Sequence, residues 1–208
     1  MPAQTKEKNL EEDIESFLCS PEGGFFKCDD RHSLLYVEDG TYQMVGGGYM
    51  EHRDRALDAA TLVNFIQTTQ PKAWDRFERM CNSDSTAKFA KVFNDAVDRL
   101  GMVAVLKHGF KHRGIPFKVV FFKPESGLNE SAADHYAKNV CRCIRQFHFA
   151  ETGNQTIDMV LDVNGIPLVG IELKDQFTGQ DVENAMRQWR EDRDPRCRCL
   201  KFNTRMVA

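Results

Sequence analysis

The 208 residues contain no run near the roughly 18 apolar side chains that a membrane-spanning helix needs, and the opening MPAQTKEKNLEED lacks the apolar centre of a secretory signal. A membrane-spanning or secreted chain is thereby set aside. No Gly-Lys-Ser or Gly-Lys-Thr ending occurs anywhere, so the run Gly46, Gly47, Gly48 is not a phosphate loop. Internal repeats and low-complexity segments are missing too, which excludes solenoids and linkers. Seven cysteines, an odd number without a tight framework, point away from a disulfide scaffold and toward a reduced, cytoplasmic chain with free thiols. Charge of either sign is not in large excess, at a net -3. What remains is a globular composition, 41% apolar and 28% charged, which excludes disorder and fibres.

The small net charge hides an uneven distribution. Residues 1–60 hold six Lys/Arg against thirteen Asp/Glu, a net -7, and the remainder holds 22 against 18, a net +4. Residues 101–124 carry five cations (Lys107, Lys111, Arg113, Lys118, Lys123) and no acid. Residues 187–205 carry seven, including Arg187, Arg193 and Arg205, against three acids. Screening confines charge effects to about 8–10 Å, so such local stripes decide whether a polyanion is attracted. The alternative is an ordinary solvated face.

Apolar spacing predicts helices first and strands later. Asn9 followed by Leu10, Ile14, Phe17 and Leu18 reads as a capped amphipathic helix. Turn-rich sequence follows to about residue 50. Leu57, Leu62, Val63 and Ile66 mark a second helix, Pro71 opens a short third one, and residues 85–100 form a longer one stopped by Gly101. MVAVLKHG and PFKVVFFKP, bounded by Gly and Pro, read as strands. A short helix over 134–138, a strand over 140–149, and a hairpin TIDMVLDV-Asn-Gly-IPLVGIELK complete the sheet. A capping box at Thr178-Gly-Gln-Asp181 opens a last helix striped by Val182, Ala185, Met186 and Trp189. The pattern predicts one α/β domain spanning 1–208, helical over about 1–100 and sheet-rich over about 101–200, with a mixed sheet flanked by helices.

The chemistry lies in the hairpin. Strand alternation puts Glu172 and Lys174 on one face, about 7 Å apart along the strand, opposite the apolar Ile171 and Leu173. A buried strand should not carry charge without a use. Two carboxylates, Asp158 and Glu172, converging on one point suit Mg²⁺, and a nearby Lys can orient a water or neutralise a developing phosphorane. Register imposes a condition. An unbulged two-residue Asn164-Gly165 loop pairs Val163 with Ile166 and leaves Asp158 facing Ile171, on the wrong side from Glu172. A three-residue loop pairing Asp162 with Ile166, or another bulge in the hairpin, is therefore required.

The stretch Ile157-Asp158-Met-Val-Leu-Asp-Val-Asn-Gly-Ile-Pro-Leu-Val-Gly-Ile-Glu172-Leu-Lys174, with Thr178-Gly-Gln-Asp-Val-Glu-Asn-Ala-Met-Arg-Gln188 and Asp192-Arg-Asp-Pro195, resembles the N-terminal nuclease domain of type I restriction enzyme R subunits. Asn129, Tyr136, Asn139, Arg145-Gln146, Gln70-Pro71, Trp74 and residues 57–65 extend the resemblance over nearly the whole chain. It implies a PD-(D/E)xK, restriction-endonuclease-like fold and Mg²⁺-dependent cleavage of double-stranded DNA. Asp158 and Glu172 would be metal ligands, with the Leu173 carbonyl a third candidate, Lys174 the catalytic lysine, and Gln188 the downstream glutamine that helps position DNA or the site. The family's nearby tyrosine is absent; Trp189 and Asp192 stand in its place. Asp162 departs from the usual apolar choice and reads as a bystander at the hairpin end. An acid on the first helix often completes such sites; Glu11 matches best and Glu15 lies one turn on, a solvated helix face being the plainer reading for both. Family R subunits are longer and carry an ATP-driven translocase, so the chain is expected to be a fragment or truncated product. ATP, translocation, and the modification and specificity subunits belong to the implied full-length protein. A stand-alone nuclease of this fold and a non-catalytic DNA-binding or docking module are the alternatives.

Two further patterns are set aside. Cys141-Arg-Cys143 and Cys197-Arg-Cys199 are spaced too tightly for the usual structural zinc site. His108 and His112 are separated by Gly109 and flanked by strand-like sequence, so they read as surface or phosphate-contacting residues.

Overall fold

A computed structural model describes residues 3–38, 40–125, 129–174, 182–194, 196–201 and 205–206. The chain runs α1 (Ala3–Leu18), β1 (Phe26–Cys28), β2 (His32–Tyr36), β3 (Tyr42–Gly46), α2 (Gly48–Glu51), α3 (Ala59–Thr69), α4 (Pro71–Glu78), α5 (Ser85–Leu100), α6 (Met102–His108), β4 (Phe110–His112), β5 (Ile115–Phe117), α7 (Glu130–Ala137), β6 (Cys141–His148), β7 (Thr156–Val163), β8 (Ile166–Ile171) and α8 (Val182–Arg187). The main sheet has the order β1-β6-β7-β8, with β1 parallel to β6 and the rest antiparallel. It is a mixed sheet flanked by helices, consistent with a restriction-endonuclease-like fold.

Two apolar clusters sit around it. Helices α3 to α6 close over Leu62, Ile66, Phe77, Phe89, Phe93 and Phe117. Ile144, Phe147, Ile157 and Val160 of the sheet meet Tyr49, Leu200 and Met206. Sequence signals mark the helix starts well: Asp58 caps α3 through Thr61 N–H, Pro71 opens α4, and Asp84 caps α5 through Ala87 N–H. α1 begins earlier than the Asn9 cap implies.

Three expectations fail for identifiable reasons. Residues 102–108 form helix α6, not a strand: Met102 and Val105, three apart, are buried while Val103 is exposed, so docking at helical spacing overrides β-propensity. PFKVVFFKP pairs as a strand only through Ile115–Phe117. Beyond it the extended backbone is clasped by side-chain amides instead of a ladder. Gln70 bonds both N–H and C=O of Lys118 (2.8 and 2.7 Å), Asn164 Nδ2 donates to Val119 C=O (2.9 Å), and Asn139 bonds both groups of Phe121 (3.2 and 2.7 Å). Those amides satisfy the groups a neighbouring strand otherwise would. Third, the turn-rich segment before residue 50 contains the β2–β3 hairpin and the edge strand β1, too short for an alternation signal. The hairpin is held to α3 by Thr61 and Asn64 side chains, which accept from Leu34 N–H (3.0 Å) and Tyr36 N–H (2.7 Å).

Candidate active site

The β7–β8 turn has two residues, Asn164 and Gly165, with φ of 54° and 82°, and pairs Val163 with Ile166. Gly165 has no room for a side chain, since a Cβ there would lie 2.5 Å from the Asp58 carbonyl. Taken alone, this loop gives the parity that separates Asp158 from Glu172. The ladder then breaks: Asp162 pairs with Pro167, but Leu161 pairs with Val169, leaving Leu168 as the extra residue of a bulge. Pro167 has no N–H to donate, and bulges are where a sheet tolerates proline. The bulge resets the register so that Met159 faces Ile171, and one residue further Asp158 stands across from Glu172. The requirement for a bulge is met, at Leu168 rather than at Gly165.

β8 ends at Ile171, so Glu172, Leu173 and Lys174 form an extension past the ladder. Asp158 tethers it, its Oδ2 accepting from Leu173 N–H at 2.8 Å. Glu172 is buried, its side chain only 2% exposed, and forms an ion pair with Arg193 Nη2. Lys174 is partly buried and makes no ion pair among the described residues.

Arg193 directly follows a π-helical turn, Gln188–Asp192, that continues from α8. The turn lays Trp189 on the sheet at Gly170, where a Cβ would lie 2.7 Å from the indole. The Arg193 guanidinium is 4.5 Å from the Phe149 ring centre and 5.6 Å from that of Trp189. Burial lowers its pKa and the Asp158 charge works against that loss. Its Nε finds no partner among the described residues. Between β8 and α8 lies an apolar groove of about 720 Å³, walled by Val169, Ile171, Met186 and Trp189 and closed at one end by Glu172 and Arg193. Gln188 opens the π-turn, partly buried and without a hydrogen-bond partner among the described residues. The capping box at 178–181 lies outside the described residues.

Glu11 and Glu15 are not a solvated face: they are 6% and 5% exposed. Glu11 accepts from Arg145 Nε (3.0 Å) and Gln146 Nε2 (2.9 Å), and Glu15 pairs with Lys27 at 2.5 Å and Arg145 at 3.5 Å. Gln146, in a left-handed conformation (φ 50°), lies between the pairs Arg145–Met159 and Phe147–Ile157, hence across from Asp158. The Gln146 side chain is spent on Glu11 and on Thr156, whose Oγ1 donates to Gln146 Oε1 at 3.0 Å, so among the described residues Glu11 is not hydrogen-bonded to Asp158, directly or through Gln146. Among the described residues no three His, Cys, Asp or Glu side chains gather closely enough to hold a metal ion.

Asp162 is not a bystander. It receives Arg142 Nε at 3.0 and 2.9 Å and a further bond from Nη2, while Arg142 Nη1 donates to Asp58 at 2.8 Å; all three side chains are 1% exposed. Burial raises the Asp162 pKa, and the guanidinium offsets only part of the rise. This is a buried ionic knot joining β6, β7 and the start of α3. The Arg-rich tail differs from its reading as a basic stripe: besides Arg193, Arg205 is buried against Asn94 (2.7 Å) and Asp98 (3.0 Å), and Arg196 pairs with Asp194 (2.9 Å). The arginine clustering marked the tail, but a solvent-facing reading missed the partners of Arg193 and Arg205, which only the tertiary fold supplies; Arg196 stays exposed and pairs locally.

With this geometry established, comparison with known families is decisive. The sequence model of the type I restriction enzyme R protein N terminus matches residues 60–206. The chain belongs to that family. No curated protein and no solved structure matches it. The stretch matched to the R-protein N terminus holds the hairpin, Gln188 and Arg193, and leaves Glu11 outside. Several residues carried by the family resemblance have structural duties: Gln70 and Asn139 clasp the extended segment, Asn129 caps α7, and Arg145 with Gln146 anchors Glu11. Among the described residues no helix is long and apolar enough to cross a membrane.

Proposed function

We propose that this R-protein N-terminal domain is an endonuclease that hydrolyses DNA phosphodiester bonds with Mg²⁺. The observation that supports the reading is the Leu168 bulge, which shifts the ladder so that Met159 pairs with Ile171 and, continued by one residue, brings positions 158 and 172 onto one face of the hairpin. The donor set fits a hard divalent cation, being carboxylate oxygen with a backbone carbonyl adjacent at Leu173. Asp158 and Glu172 would hold the ion, which when bound supplies a Lewis acid for the scissile phosphate. Asp158 also fixes the extension through Leu173 N–H, which keeps Glu172 and Lys174 in a constant relation to the sheet. Lys174, free of an ion pair among the described residues, is available to orient the attacking water and to balance charge on the phosphorane. Gln188, at the head of the π-turn, positions DNA or the site. Arg193 supplies the positive charge that keeps buried Glu172 tolerable before a metal arrives.

That ion pair also favours a second reading, a non-catalytic docking module whose acidic residue is permanently neutralised. One titration separates the two. On the nuclease reading the chain binds Mn²⁺ or Mg²⁺ at a site abolished by Asp158→Ala, and an R protein carrying that substitution fails to nick DNA. ATP-driven translocation and assembly with modification and specificity subunits are proposed for longer R proteins on the family resemblance alone.

A further inference from the structure

The ribbon formed by β4 and β5 has two unlike faces. Pairing of Phe110 with Phe117, Lys111 with Pro116 and His112 with Ile115 sends alternate residues to opposite sides. The inner face is anchored: Phe117 packs against Phe89 (5.0 Å between centroids) and Phe77 (5.9 Å), and Phe110 against Phe93 (6.3 Å). On the outer face, alternation places Lys118 beyond Pro116 on the same side as Lys111, with Arg113 at the tip and Lys107 just before the ribbon. All four cations are exposed and make no ion pair among the described residues. Gln70 holds the Lys118 backbone at both its N–H and its C=O, so that position is rigid. The nearby acids are few. Asp95 lines the shallow cleft between α5 and the ribbon together with Arg99, and Asp98 is already engaged by Arg205.

We infer that the outer face of this ribbon is a docking surface for the phosphate backbone of duplex DNA, separate from the Asp158–Glu172 hairpin. From Lys118 to Ile115 the strand rises about 10 Å at 3.3 Å per residue, close to three base-pair steps, and the turn carries Arg113 beyond that. Unpaired like charges held this near each other on a fixed support repel one another, and a polyanion relieves that repulsion. An acidic protein partner would call for aromatic anchors and bidentate arginines at the centre of the face. On the ribbon itself Phe110 and Phe117 point inward and the centre is lysine, a point charge suited to phosphate; the half-buried Phe121 ring, 5.8 Å from Lys118 Nζ, lies beyond the ribbon, as does the exposed Phe122. Laid flat on the backbone, the face offers phosphate contacts, which position a protein on a duplex without reading its sequence. It is independent of the metal reading and survives if that fails.

The test uses the intact 208-residue chain and a fluorescent 30-base-pair duplex, with anisotropy followed over a range of salt. Lys111→Glu, Arg113→Glu and Lys118→Glu together are expected to weaken binding at least about tenfold and to flatten the salt dependence by two to three released counterions. A control with the same charge change at scattered exposed sites, Lys8→Glu, Arg31→Glu and Lys72→Glu, should keep the wild-type salt slope. Circular dichroism checks that each variant is folded. The inference is overturned if wild-type chain does not bind the duplex, if the control loses as much as the ribbon variant, or if polyglutamate binds as tightly as DNA.

Discussion

Arg193 and Glu172 are each almost fully buried and each other's counter-charge. Arg193→Ala leaves a buried carboxylate alone, which costs about 3–5 kcal/mol in the metal-free protein. The same substitution leaves Glu172 free for a divalent ion, so the variant should regain thermal stability with added Mn²⁺ by a larger margin than wild type. Equal shifts in melting temperature for both proteins would contradict that role. In the Arg142 knot two carboxylates share one guanidinium. Arg142→Met orphans both and should be the most destabilising change, about 3–5 kcal/mol or more. Asp162→Asn keeps shape and leaves a balanced Arg142–Asp58 pair, so it should cost clearly less, as read from denaturant midpoints. The raised Asp162 pKa sets the sign of its pH effect. Its contribution is fully present below the ordinary carboxylate range and is lost as pH climbs through the raised value, and the Asn variant should lack that downward slope above the ordinary carboxylate range. The composition of the knot was written in the chain, but nothing in a linear reading says that Asp162, Arg142 and Asp58 meet.

Elements show what a sequence pattern carries and where it stops. Helices α3, α4 and α5 and strands β6 and β7 announce themselves, because capping residues, Pro71 and long alternation are local signals. α6 and the 118–123 segment do not, since one is decided by docking and the other by amides from three distant positions. Parity alone showed that the hairpin needs a bulge; its place at Leu168 was decided by Pro167 and by the seating of Gly165 on Asp58. At the other end of β8, the close contact of Gly170 with Trp189 fixes the π-turn and hence Arg193. Gly170→Ala should cost about 1–3 kcal/mol by overpacking. Adding Trp189→Ala should recover part of that cost in a double-mutant cycle. Simple additivity would mean that the indole does not rest on Gly170.

Across the whole molecule, charge is organised into separate jobs that a net of -3 conceals. Acidic residues of α1 are buried against Arg145 and Lys27. The arginine tail is partly turned inward to Glu172, Asn94 and Asp98. The β4–β5 ribbon keeps its cations exposed. The family match and the need for a bulge in the hairpin were legible in the residues themselves; the arginine paired with Glu172 and the direction in which each basic stripe faces required the fold. The central claim is that Asp158 and Glu172 together form a divalent-cation site, and calorimetric titration of the intact chain with Mn²⁺ tests it most directly. One site in wild type, lost in Asp158→Ala and in Glu172→Gln while both variants stay folded, is the predicted result. Binding that survives both substitutions, or no binding by wild type and by Arg193→Ala alike, would contradict it.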